Sequence, residues 1–275
     1  MSCPASLPNP IFAYLSGLKL AAPSQPHPST FFDPPSVGST AHPHTVLTPI
    51  CDHAQKFIHA LLPPWGEHHV LRTFAFGLAV AEHAGWTTSP QSEELGWSRE
   101  LWFLTAILHD IGWDAQNNLK SRLSFEIYGG VKAREMLMGW GASQDVADEV
   151  CEAIVRHTDG GATTGSLRLM TALTQIGARH DLLGFAVPGF LHPDDNRIIN
   201  ERWPRLGFAD QVTHYMENEL QHKPGCMFSK CAAVILGKVH GVECYKGLEG
   251  EAGDDAEWKE RRKTVVVDTY GYRII

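Results

Sequence analysis

The stretch from Ser98 to Gly112 constrains this chain more than any other. Trp102, Phe103, Leu104, Ala106, Ile107 and Leu108 leave almost no polar face, so the pattern predicts a helix buried all round. Ser98 supplies an N-cap, and Gly112 suits the position just past the C-terminus. The helix ends in His109-Asp110. An imidazole and a carboxylate at the inner end of a buried helix both lose hydration, and an unpaired buried carboxylate is costly. A divalent metal compensates both at once. The plainer alternative is a satisfied core histidine beside a solvated aspartate at a helix end.

Composition narrows the partners. The chain has 275 residues and a formal net charge of −8, with no dense Lys/Arg cluster. Nucleic acid and acidic membrane surfaces are poor partners for such a chain. Cys3, Cys51, Cys151, Cys226, Cys231 and Cys244 show no C-x-x-C spacing, and read as free thiols in a reducing, cytoplasmic setting. Met1 to Ala22 lacks the basic start and continuous apolar core of a signal peptide, and no run approaches the ~18 apolar residues of a membrane span. Fifteen histidines make a metal site worth seeking.

The periodicity predicts an all-α domain with irregular ends. Residues 1–47 form a Pro-rich N-terminal arm, with one short amphipathic turn or helix between Pro10 and Leu20. Residues 48–248 form the helical body. Thr48-Pro49 starts a helix that Pro63-Pro64 stops, and a second runs from about Glu67 to Gly85. Thr87 to Gly96 is a polar connection. Further helices start at Ser124 and Ser143, span Leu167 to Leu183, start near Asn196, and cover Asp210 to His222 and Phe228 to Gly241. Residues 249–275 form an extended C-terminal tail, charged and solvated to Lys263 and of strand composition beyond.

Four positions can be assembled into one site. His69 lies in the first turn of its helix, and Arg72 shares its face. His109 and Asp110 follow, then Asp181 within His180-Asp181-Leu182-Leu183-Gly184. Two imidazoles and two carboxylates suit a divalent ion such as zinc, manganese or iron. His68 is the competing reading for His69, and a pairing with Arg179 or Arg168 for Asp181.

The order His…His-Asp…Asp resembles the HD-domain metal-dependent hydrolase superfamily. The contexts His69-x-x-Arg72-Thr73-Phe74, Leu104-x-x-x-Leu108-His109-Asp110-Ile111-Gly112 and Asp181-Leu182-Leu183-Gly184 are similar to the fungal cyanamide hydratase group. Ala153-Ile154-x-x-His157-Thr158-Asp159 and Pro204-Arg205-Leu206-Gly207-Phe208 fit it too, and the resemblance covers roughly Thr48 to Gly241. It implies an HD-domain helical bundle with one metal held by His69, His109, Asp110 and Asp181. The resemblance further implies that the metal is zinc, with iron or manganese as alternatives, and that its bound water adds across the carbon–nitrogen triple bond of cyanamide to give urea.

In that reading Asp110 is ligand and proton acceptor together, and His157 is a further catalytic or substrate-contacting group. Trp113, directly after the metal helix, is the first candidate for an aromatic pocket wall. Lys223 is a candidate substrate contact where the chain departs from its relatives. Arg72 is another, though a pairing with a buried carboxylate suits it better. The main competitor is an HD-type phosphohydrolase using Arg72, Lys120 and Arg122 on a nucleotide or other phosphate ester. A di-iron oxygenase lacks a second ligand set, and a non-enzymatic binding protein would not keep all four positions. The partner is a small molecule. Members of the group often form homo-oligomers, and the Pro-rich arm offers a contact for one.

Overall fold

Prolines open the first helices of the body. Helix α1 runs Pro49–Leu61 and α2 runs Pro64–His83, with Pro64 in the first turn of α2, where its missing N–H costs nothing. Pro63-Pro64 therefore ends one helix and begins the next, three residues before the expected start. The computed structural model describes residues 7–8, 23–35, 49–114, 119–159, 166–184, 190–252, 255–263, 265–268 and 271–274. The Pro10–Leu20 expectation lies outside them.

Short α3 (Gln91–Leu95) interrupts the expected polar connection. Helix α4 is Arg99–Leu108, capped by the Ser98 hydroxyl, which accepts from Leu101 N at 3.2 Å. Then follow a 3-10 turn at Ile111–Trp113, α5 (Phe125–Gly139), α6 (Gln144–Arg156) and α7 (Leu169–Leu183). The body closes with α8 (Pro193–Arg202), α9 (Phe208–His222) and α10 (Ser229–Leu236). Helix α11 (Ala256–Arg262) precedes an antiparallel pair, β3 (Val265–Asp268) and β4 (Gly271–Ile274). A second small pair joins β1 (Leu7–Pro8) to β2 (Ser166–Leu167). The fold is an all-α bundle, with strands confined to these two short pairs among the described residues. No described helix is long and apolar enough to cross a membrane.

Helix α4 is the hub, packing on α1, α2, α6 and α7. Phe103, Leu104, Ile107 and Leu108 are each at most 1% exposed. Each such side chain contributes about 1.5–3 kcal/mol by leaving water. Trp102 is also fully buried, and its indole N–H donates to Phe74 O at 3.1 Å. A second apolar cluster, with Trp65, Trp113, Phe125, Phe208, Met216 and Phe228, lies where α9 and α10 meet the end of the hub.

Two glycines set the closest approaches. A Cβ at Gly112 would stand 1.9 Å from Phe125 O, so Gly112 is there to let the 3-10 turn touch the start of α5, not as a left-handed helix cap. A Cβ at Gly177 would stand 2.4 Å from Thr73 O, so this glycine lets α7 lie against α2. The first approach lies three residues after His109, and the second lies next to Arg72.

The ends are less free than their composition implies. Part of the arm packs: Phe32 is fully buried, and Arg99 donates to Phe31 O (2.7 Å) and Asp33 O (3.2 Å). The segment from Glu249 to Lys263, expected to be solvated, returns to the body. Arg205 Nε donates to Glu249 Oε1 at 2.8 Å, and Trp258 Nε1 donates to Leu61 O at 3.2 Å. Buried Arg262 donates to both oxygens of Asp114 at 2.8 Å. Charged side chains had another role available besides solvation, namely capping and pairing with groups that the helices leave unsatisfied.

Candidate metal centre

Two helix ends use the same device. His109 and His157 are the C-cap residues of α4 and α6. Each ring folds back so that Nδ1 lies on the carbonyl three residues earlier, Ala106 O at 2.7 Å and Ile154 O at 2.6 Å. A carbonyl accepts only, so Nδ1 carries the hydrogen and Nε2 keeps its lone pair. His69, on the second turn of α2, reaches the same state with a side-chain partner: Nδ1 donates to Asp181 Oδ2 at 2.7 Å. Pinning Nδ1 in this way is how proteins aim imidazole ligands.

The lone pairs converge on Asp110, the residue between α4 and the 3-10 turn. Its Oδ2 lies 3.2 Å from His69 Nε2 and 3.3 Å from His109 Nε2, and its Oδ1 lies 3.6 Å from His157 Nε2. All four side chains are at least 94% buried. Lone pairs facing a carboxylate repel unless a cation lies among them. Among the described residues, His109 Nε2 and Asp110 Oδ1 are buried with no hydrogen-bond partner. His69, His109 and Asp110 each offer one atom within 4.8 Å of the others, the spacing of a metal cradle. The donor set of imidazoles and a carboxylate fits a borderline divalent ion.

Without a cation, the imidazoles themselves supply the counter-charge that Asp110 needs. Burial works against ionisation of Asp110, but neighbouring His109 and His69 outweigh it and hold the carboxyl far below its usual range. Burial alone would lower His69; hydrogen bonds to Asp110 and Asp181 raise it instead. Burial, reinforced by His109, pushes His157 down to about 4, so this ring is neutral at pH 7.

Asp181 stands behind His69 and outside the cradle. Its Oδ1 accepts from Arg72 Nε (2.7 Å) and Arg205 Nη1 (2.8 Å), and its Oδ2 accepts from Arg72 Nη2 (2.9 Å) and His69 Nδ1 (2.7 Å). The expected fourth ligand is thus taken up by two guanidiniums and an imidazole. Its pairing is with Arg72 and Arg205, not Arg179 or Arg168. Burial opposes its charge, but the two arginines overcome it and keep the carboxyl well below the usual value. His68, the rival to His69, turns away and donates from Nδ1 to Pro204 O at 2.7 Å.

The cluster forms part of the lining of a cavity of about 230 Å³. Trp113 and His157 are among its lining residues. Arg72 and Lys223 are not. Arg72 is spent on Asp181 and on the carbonyls of Trp203 (2.9 Å) and Pro204 (3.2 Å). Lys223 Nζ donates to Leu123 O at 2.6 Å and pairs with Glu219 at 3.3 Å, so it holds the α5 N-terminus to α9. Phe125, Phe228 and Ile235 on the wall, and Arg205 behind Asp181, had no assigned role in the sequence reading. The available signal was an arginine set inside Pro204-Arg205-Leu206-Gly207-Phe208, where a lone charge in an apolar run calls for a partner.

Residues 66–191 match the model of the HD domain family. The chain is similar to two Saccharomyces cerevisiae proteins, the cyanamide hydratases DDI2 and DDI3, at 32% identity over 164 residues in each case. The aligned stretch takes in 57% of this chain and 66% of each relative, just under two thirds of their length.

Proposed function

This chain carries an HD domain, the fold of a family of metal-dependent hydrolases, and on that premise we propose that it is a zinc-dependent hydratase that adds water to a nitrile-type triple bond, converting cyanamide or a related molecule to the urea. His69, His109 and Asp110 would hold the ion. A bound zinc ion lowers the pKa of water to about 7 and polarises the bond to be attacked. His157 Nε2, neutral and facing Asp110 at 3.6 Å, is placed to accept a proton from the attacking water and return it to the nitrile nitrogen. Asp181 fixes the His69 ring through Nδ1, with Arg72 and Arg205 keeping it ionised. Trp113 and Phe125 exclude bulk water beside the cluster.

The observation that carries this reading is the convergence of imidazole lone pairs on one buried carboxylate at a carbon-lined cavity. That lining speaks against the phosphohydrolase. A phosphate ester wants cations free to bind it. Lys230 on the lining pairs with Asp159 at 2.6 Å, and Arg179 donates to the Asp159 carbonyl. The test is urea release from cyanamide by zinc-loaded protein, with metal content measured on the same sample. Stoichiometric zinc, urea production, and loss of both in His109→Ala are expected. Turnover of p-nitrophenyl phosphate without turnover of cyanamide would overturn the proposal.

A further inference from the structure

Cyanamide has no carbon beyond the reacting one, yet the cavity is built for carbon. Its wall is Trp113, Phe125, Leu182, Met216, Phe228 and Ile235, all at most 9% exposed. A dry apolar cavity of about 150 Å³ takes benzene. This one is about 230 Å³, and Val234 on α10, 52% exposed, stands where the lining meets solvent. The cations among its described lining residues are engaged by Asp159, so none of these residues calls for a charged substituent.

Resting on the hydratase reading, we propose that the substrate is a monosubstituted cyanamide, R–NH–C≡N, whose R is an apolar alkyl or aryl group between butyl and benzyl in size. R would lie along the aromatic wall with the triple bond at His109 and Asp110. The reaction is a hydration without redox change. The water oxygen bonds to the nitrile carbon, the triple bond is lost, both water protons end on the former nitrile nitrogen, and the product is R–NH–CO–NH2.

The test is kcat/KM of the zinc-loaded full chain for cyanamide and its methyl, propyl, butyl and benzyl derivatives. Burial of a methylene is worth about fourfold, so the rise from methyl to butyl is about sixtyfold. Ile235→Trp, which fills the cavity, lowers the butyl-to-methyl ratio at least tenfold; Val234→Phe at the mouth serves the same purpose if the first variant does not fold. A flat or falling series, with cyanamide itself turned over, overturns this proposal and leaves the hydratase standing. No turnover of any member overturns the hydratase reading and this proposal with it.

Discussion

Replacing Asp181 with Asn tests how the site is held. The change keeps the shape and removes the charge that Arg72 and Arg205 share, and all three side chains are fully buried. Arg72 would keep the carbonyls of Trp203 and Pro204, and Arg205 would keep Glu249. Both would still lose their buried counter-ion, and breaking such a pair costs about 3–5 kcal/mol. The retained bonds put the expected loss at the lower end, about 3 kcal/mol. The assay is urea unfolding followed by circular dichroism, in chelator, so that metal binding does not mask the difference. Because the folded pKa of Asp181 lies well below 3.8, the wild-type advantage is complete above that pH and fades as pH falls towards the folded value. Zinc affinity should fall about 10–100-fold, since His69 loses the group that aims it. A metal-free loss under about 1 kcal/mol would refute the paired-cluster argument. Unchanged metal-free stability with complete loss of zinc would make Asp181 a direct ligand rather than a positioning residue.

Two further outcomes follow from close contacts. Gly112→Ala would put a methyl group 1.9 Å from Phe125 O, so the turn after α4 must separate from α5. A loss of about 1–3 kcal/mol or more is expected by thermal unfolding, and an unchanged melting temperature would show that the approach is not tight. Glu126 is fully buried and accepts from Thr158 Oγ1 at 2.6 Å; burial, with Glu219 adding to it, raises its pKa from 4.5. A raised carboxyl costs the folded state stability as pH rises through 4.5, because only the unfolded chain ionises freely. Glu126→Gln escapes that cost, so its melting temperature relative to wild type should climb between about pH 4 and pH 8. A difference that stays flat or shrinks over that range would mean that Glu126 is ionised in the folded protein.

The helices were legible in the chain because each carried its own local cause. An apolar face and a serine cap marked α4, and Ser143 marked α6 by accepting from Val146 N at 3.3 Å. His109-Asp110 was legible because a buried carboxylate beside an imidazole has few explanations. The layering of the site was not. Residue type says that His69, Asp110 and Asp181 can each bind a metal; it does not say which stands in front and which behind. That is decided by where each Nδ1 hydrogen goes and by which cations reach which carboxylate. Asp181 is drawn back because α7 lies against α2 at Gly177, and because Arg205, from the turn between α8 and α9, meets Arg72 on the same oxygen. Among the described residues Asp110 has no arginine partner, and it faces imidazole nitrogens at 3.2 and 3.3 Å. The two aspartates differ in their neighbours, not in their chemistry. One carboxylate is neutralised by the protein; the other is left for an ion to neutralise.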